Sequence, residues 1–138
     1  MREVFYCSDV DLTGFGPYYG DLWSDLDQFQ ESLVRLRDED ARWYVTSHQK
    51  GVIEGRETFR SMLDGYEAVI ERRHAAMLEF LVEPHTIAEL VEHRFIYRPH
   101  VESNFVTVVE RRSAELHLGR MQARGEAVEV EPGRFQRV

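Results

Sequence analysis

The chain has 138 residues, 43% hydrophobic and 12% aromatic, enough apolar material for one ordinary domain core or two small ones. Net charge is −8, the pI is near 5.2, and Lys50 is the only lysine among 17 basic residues. That disfavours non-specific binding to nucleic acid or anionic membrane, because phosphate contacts need clustered cations. The single Cys7 excludes an internal disulfide and a cysteine-based zinc cluster. No apolar run approaches the roughly 20 residues of a membrane span and no signal peptide opens the chain, so the expectation is a soluble cytoplasmic protein.

Val4, Phe5, Tyr6 and Cys7 form a short apolar run that reads as a buried strand ending in the carboxylates Asp9 and Asp11. Residues 12 to 23 carry four aromatics and three glycines and read as a loop. Ser24 reads as an N-cap, with Asp25 and Asp27 favouring the positive end of a helix dipole. Leu26, Phe29, Leu33 and Leu36 follow at helical spacing and predict an amphipathic helix over 25–37. Trp43, Tyr44 and Val45 predict a second strand, ending at Thr46-Ser47-His48-Gln49-Lys50-Gly51. The order strand, loop, helix, strand suits an α/β layer with a parallel pair.

Beyond Gly55 the pattern becomes helical. Tyr66, Val69, Ile70, Arg73, Met77, Phe80 and Leu81 line one face of a helix over about 61–82, and Pro84 ends it. Thr86 with Glu89 is a capping-box pattern that opens a short helix, with Ile87, Leu90 and Val91 inward. A longer helix is predicted over about 103–124, with Ala114, Leu118 and Met121 on one side and Gly125 as its C-cap. Val128 and Val130, then Pro132-Gly133, then Phe135 and Val138 predict a terminal β-hairpin. Three helices followed by a hairpin make a winged-helix pattern.

Asp9 and His48 each follow a predicted strand, and parallel neighbouring strands bring both to the same sheet edge, where α/β proteins place their sites. Both are suitable ligands for zinc or another divalent metal. The plainer alternative makes Asp9 a loop cap and His48 a solvated turn residue. Asp11 is either a second ligand or, the favoured reading, a loop brace that accepts backbone N–H bonds. Phe15, Tyr18, Tyr19 and Trp23 either wall a substrate pocket or plug the loop. His74, His85, His93, His100 and His117 show no ligand spacing and read as surface or capping residues. Ser47 has no glycine-framed elbow that would make it a nucleophile. Arg111, Arg112, Arg120 and Arg124 fall on the helix in the recognition position of a winged-helix protein. Glu110, Glu115, Glu126, Glu129 and Glu131 offset them and argue against DNA reading.

Phe5-Tyr6-Cys7-Ser8-Asp9-Val10-Asp11-Leu12-Thr13, followed by Phe15-Gly16-Pro17-Tyr18-Tyr19-Gly20, resembles the fourth metal-binding motif of the metallo-β-lactamase-fold hydrolases. There an Asp, usually preceded by Gly, bridges two metal ions; here Asp9 takes that place and Ser8 stands where Gly is usual. Thr46-Ser47-His48-Gln49-Lys50-Gly51 resembles the family's last motif, in which a strand-ending His completes the second metal site. The helical remainder, closing on Leu118-Gly119-Arg120-Met121 to Val128, is similar to the winged-helix-like tail of one branch of the family. The family's signature His-x-His-x-Asp-His occurs nowhere in the chain.

The resemblance thus implies the C-terminal half of such a hydrolase. The expected fold is α+β: a partial metallo-β-lactamase-type layer of two strands and a helix over 1–55, then a mainly helical winged-helix-like domain over 56–138. It implies Asp9 and His48 as metal ligands, Phe15, Tyr18 and Tyr19 at the substrate, and zinc or another divalent metal as cofactor of the complete protein. The chain alone is expected to be inactive. A layer cut from a sandwich exposes sheet edges and an apolar face, so residues 1 to 50 are expected to pair with another copy or with the missing N-terminal half. The alternative is a non-catalytic oligomerisation or regulatory module.

Overall fold

A computed structural model describes residues 1–138. The elements run β1 (Arg2–Tyr6), α1 (Leu26–Asp38), β2 (Ala41–Val45), β3 (Val52–Glu54), α2 (Arg56–Phe80), β4 (His85–Thr86), α3 (Ile87–His93), α4 (Asn104–Ala123), β5 (Ala127–Glu131) and β6 (Arg134–Arg137). They group into two compact units. One comprises Met1–Tyr18 with Asp27–Glu71, the other Tyr19–Leu26 with Arg72–Val138.

In the first unit β1 and β2 are parallel, in register Val4 to Trp43, Phe5 to Tyr44 and Tyr6 to Val45. That is the expected pairing. The sheet order is β1-β2-β3, because β3 adds to β2 in antiparallel sense and places Ile53 beside Tyr44. Strand β3 escaped the sequence reading: three residues between Gly51 and Gly55 carry too little pattern, and it is the Gly51 turn that returns the chain. The Thr46 N–H donates to the Gly51 carbonyl at 2.8 Å, and Gly51 adopts φ 67°. Strand β1 was expected to be buried but is an exposed edge strand, in which only Phe5 is half-buried. Hydrophobicity is present there without a second layer to cover it.

One face of this sheet is covered. Tyr44 is fully buried and its ring stacks on Phe59 of α2 at 3.9 Å, nearly parallel. Its hydroxyl donates to the Glu39 carbonyl and accepts from the Ala41 N–H, so the phenol is satisfied where it is buried. Leu33 of α1 and Leu63 and Ile70 of α2 have no exposed surface. Arg37 ties the two helices together, pairing with Asp64 and, at 2.8 Å, with Glu67. Helix α2 begins at Arg56, about one turn and a half earlier than the apolar stripe suggested, and its first turns carry Phe59 inward.

In the second unit Met77, Leu81, Leu90, Ala114, Leu118, Met121 and Ala127 form the apolar core. The capping box is present in full: the Thr86 hydroxyl accepts from Glu89 N–H, and the Glu89 carboxylate accepts from Thr86 N–H at 2.7 Å. Those bonds, with the Thr86 backbone N–H foremost, hold the Glu89 carboxyl below its usual range. The hairpin β5–β6 forms as expected, and β4 joins it to give a sheet of order β4-β6-β5. Helix α4 ends at Ala123 and is capped by Arg124, with Gly125 just beyond at φ 70°, the left-handed position that favours glycine. No helix is long and apolar enough to cross a membrane.

Candidate functional site

The two loops that leave the parallel strands are tied to each other by their own backbones. Cys7 N–H donates to the Val45 carbonyl at 2.7 Å, which extends the ladder past β1, and Ser47 N–H then donates to the Ser8 carbonyl at 3.1 Å. The Tyr6 hydroxyl and Ser47 Oγ share a hydrogen bond of 2.7 Å. Asp9 and His48 are the next residues along each loop. They meet there, with His48 Nε2 3.5 Å from Asp9 Oδ1. Both are exposed, His48 at 57% and Asp9 at 86% of the side chain. The pair is therefore weak as an ion pair in water and open to an incoming ligand.

Ser8 holds a positive φ of 51°, and Leu12 one of 57°. The left-handed value at Ser8 gives a physical reason for glycine at that place, since a side chain there is strained. Asp11 braces its own loop. Its Oδ1 accepts from Thr13 N–H at 3.1 Å and from Thr13 Oγ1 at 3.0 Å, a local brace that fixes the loop. Gly16 adopts φ 87°, and a Cβ there would fall 2.5 Å from Val69, so the loop backbone lies directly on α2.

A cavity of about 370 Å³ is bounded by Asp11, Thr13, Gly14, Phe15, His48 and Gln49. Phe15 therefore stands beside His48. Tyr18 is exposed and Tyr19 is buried, and neither belongs to this lining. Cys7 is buried, and burial pushes its thiol up to about 11, which keeps it protonated and unreactive at neutral pH.

Two donors do not hold a metal tightly. Zinc sites take three or four protein ligands, and nowhere in the chain are three or more His, Cys, Asp or Glu side chains gathered for one. Alone, Asp9 and His48 can attract a cation weakly or pass a proton between carboxylate and imidazole. No catalytic step through a metal follows from these residues.

The second unit contains a polar cluster that the sequence reading missed. His117 is fully buried and His74 nearly so, against the expectation of surface or capping residues. Tyr19 Oη lies 2.8 Å from His117 Nε2, His117 Nδ1 lies 3.1 Å from His74 Nδ1, and His74 Nε2 lies 2.8 Å from Glu126 Oε2. One proton arrangement satisfies the whole row. Glu126 accepts from His74 Nε2–H, His117 Nδ1–H donates to His74 Nδ1, and the Tyr19 hydroxyl donates to His117 Nε2. Burial first, then the nearby His74, Arg120 and Arg73, push His117 down to about 3, so its ring is neutral at ordinary pH. Burial also raises Tyr19, partly countered by Arg73, whose guanidinium lies 5.4 Å from the ring centroid. Only the helical placement of His74 and His117 on apolar faces could have signalled this.

Of the four arginines considered for nucleic acid, Arg120 is buried, and Arg112 donates to the carbonyls of Asp21 and Ser24. A smaller cavity of about 260 Å³ is lined by Phe80, His85, Glu89, Glu92 and His93, with the His85 and His93 rings against Phe80.

The fold is similar to that of solved structures. A metallo-β-lactamase family protein from Thermus thermophilus matches 98% of the chain with a TM-score of 0.75 and 25% identity. A β-lactamase domain protein from Burkholderia ambifaria matches 99% with a TM-score of 0.70 and 19% identity. The fold is part of a metallo-β-lactamase fold. In each case the chain spans 42% of the other protein's length. No protein-family model matches the sequence, and no curated protein matches it.

Proposed function

We propose that the chain is the C-terminal portion of a metal-dependent hydrolase of the metallo-β-lactamase superfamily, and that Asp9 and His48 are two of its metal ligands. One observation carries the reading. In a fold of this kind, the ends of two adjacent parallel strands bring a carboxylate and an imidazole to 3.5 Å beside an open cavity. The bound ion, zinc or another divalent metal, would activate water for attack on an ester, thioester, amide or phosphodiester bond. The remaining donors come from polypeptide outside residues 1–138, so this chain alone does not hydrolyse substrate. Phe15 borders the substrate, with Tyr18 further along the same loop. The helices and hairpin of residues 56–138 are a winged-helix-like tail.

A second reading, a non-catalytic oligomerisation or regulatory module, is favoured by the small number and high exposure of the donors. Equilibrium dialysis against zinc separates the two. The hydrolase reading expects weak zinc uptake that falls at least tenfold in Asp9→Ala and in His48→Ala. Uptake that is absent, or unchanged in both variants, favours the second reading.

A further inference from the structure

Tyr19 is 2% exposed although it belongs to no helix or strand. Its bond to His117 is the loop end of the row that runs through His74 to Glu126. One loop residue is thereby joined to α4, to α2 and to the residue just before β5. The backbone that carries Tyr19 rests on α4: a Cβ at Gly20 would fall 2.5 Å from Val109, and the Asp21 and Ser24 carbonyls accept from Arg112. Between those carbonyls Leu22 and Trp23 reach into solvent. Gly16 lies against Val69 upstream, and the buried Leu26 begins α1 downstream. The segment Tyr19–Ser24 can therefore lift without unravelling a helix or strand.

Both ring nitrogens of His117 are covered, Nδ1 by His74 of α2 and Nε2 by Tyr19. Only Tyr19 sits in irregular structure, which opens at lower free energy than packed helices. Lifting Tyr19 is thus the lower-energy route for water to reach the ring. The charges around the row supply a trigger. A proton on His117 Nε2 takes the place of the Tyr19 hydroxyl hydrogen. It puts positive charge near Arg73 of α2 and Arg120 of its own helix, with His74 on the other side. Two carboxylates face the row, and both are engaged: Glu110 accepts three backbone N–H groups, and Glu126 accepts from His74. The closed arrangement therefore resists the proton, whereas a hydrated imidazole accepts it. Burial and these cations hold His117 near 3 against an ordinary 6.5. Its neutral form stabilises the closed segment fully above about 6.5, and that stabilisation falls as pH drops toward 3.

We infer that the Tyr19–His117 bond is an acid-released latch: protonation of His117 lifts the segment Tyr19–Ser24 while the helical core of this unit stays folded. Tyr19 directly follows the Phe15–Tyr18 stretch, so release loosens the downstream end of the loop whose upstream part bounds the larger cavity. The latch goes beyond the hydrolase reading and works whether or not Asp9 and His48 bind metal.

Relaxation-dispersion NMR of residues 1–138 in EDTA, from pH 7.5 to 4.5, tests it at the Tyr19–Ser24 amides, with Leu118 reporting the core. The expected opening constant rises about tenfold per pH unit below about 6.5, while Leu118 shows no opening. His117→Gln removes the titrating group and is expected to abolish that pH dependence. Arg112→Ala loosens the segment at Asp21 and Ser24, away from the row, and is expected to raise the opening constant about tenfold at every pH, a shift of about one pH unit. A segment that stays closed throughout the range overturns the latch. So does opening of Leu118 together with the segment, or the same pH dependence in His117→Gln. Should His117→Gln fail to fold, Arg112→Ala decides: an unmoved pH profile overturns the latch.

Discussion

Ser47 donates its backbone N–H to the carbonyl of Ser8 at 3.1 Å, and the next residue on each side is one of the two candidate ligands. The approach of Asp9 to His48 is therefore set by main chain, not by the two side chains. Either can be replaced without dismantling the loops that carry them. This makes alanine variants at Asp9 and His48 clean probes of binding.

Ser8 pays for its φ of 51° with a strained backbone. Left-handed backbone costs a non-glycine residue roughly 1–2 kcal/mol, and glycine's extra freedom in the unfolded chain offsets part of the relief. Ser8→Gly is expected to raise stability by about 0.5–1 kcal/mol in urea denaturation, with the denaturant slope unchanged. A loss of stability would mean that the serine hydroxyl makes a contact outweighing the strain.

Gly16 works in the opposite direction. Its φ is 87°, and a Cβ would lie 2.5 Å from the Val69 side chain, a β-branched group held on a helix. Gly16→Ala therefore combines backbone strain with overpacking and is expected to cost about 2–4 kcal/mol by denaturant titration. Gly14 meets nothing within 4 Å and has no positive φ, so Gly14→Ala is the matched control, within about 0.5 kcal/mol of the parent.

The buried row in the second unit predicts acid sensitivity. His117 titrates near 3 when folded and near 6.5 when unfolded, so between those values the unfolded chain binds the extra proton. The stability associated with a neutral His117 is complete above about 6.5 and is lost as pH falls toward 3. The loss is roughly 1.4 kcal/mol per pH unit within that window. Denaturation curves from pH 7 to 4 should show it, and His117→Gln should flatten the slope. Tyr19→Phe leaves His117 Nε2 without its donor and is expected to cost about 1–3 kcal/mol at neutral pH.

Glu110 is fully buried, and its carboxylate accepts the backbone N–H groups of Phe95, Ile96 and Tyr97 at 2.7–2.9 Å. The segment between α3 and α4 is thus pinned by one charged side chain. Glu110→Gln replaces an acceptor oxygen with a donor amide facing N–H groups and is expected to cost about 2–3 kcal/mol by thermal denaturation. Hydrogen exchange at Ile96 and Tyr97 should quicken in the same variant.

Much of this fold was legible in the sequence because its signals are local. The Leu26 to Leu36 stripe, the Thr86 and Glu89 capping pair and the Pro132-Gly133 turn each occupy a few neighbouring residues. The approach of Asp9 to His48 was legible for a related reason: each closely follows a strand, and parallel pairing does the rest. What was missed depends on distant partners. Tyr19 meets His117 and His74 meets Glu126 only after the chain has folded, so their isolated letters read as loop and surface. Glu110, counted among charges offsetting a basic helix, instead satisfies a loop that carries no pattern of its own. Burial of β1 was misjudged because apolar composition cannot say whether a second layer covers it.

The central claim is the proposal that Asp9 and His48 are two of the ligands of a metal site. Crystals of residues 1–138 soaked in zinc and measured at the zinc absorption edge test it most directly. The expected result is an anomalous peak bonded to both Asp9 Oδ1 and His48 Nε2, at about 2.0–2.2 Å from each, and no such peak in His48→Ala. Zinc found only elsewhere, for example between His85 and His93, with nothing at Asp9, would contradict it.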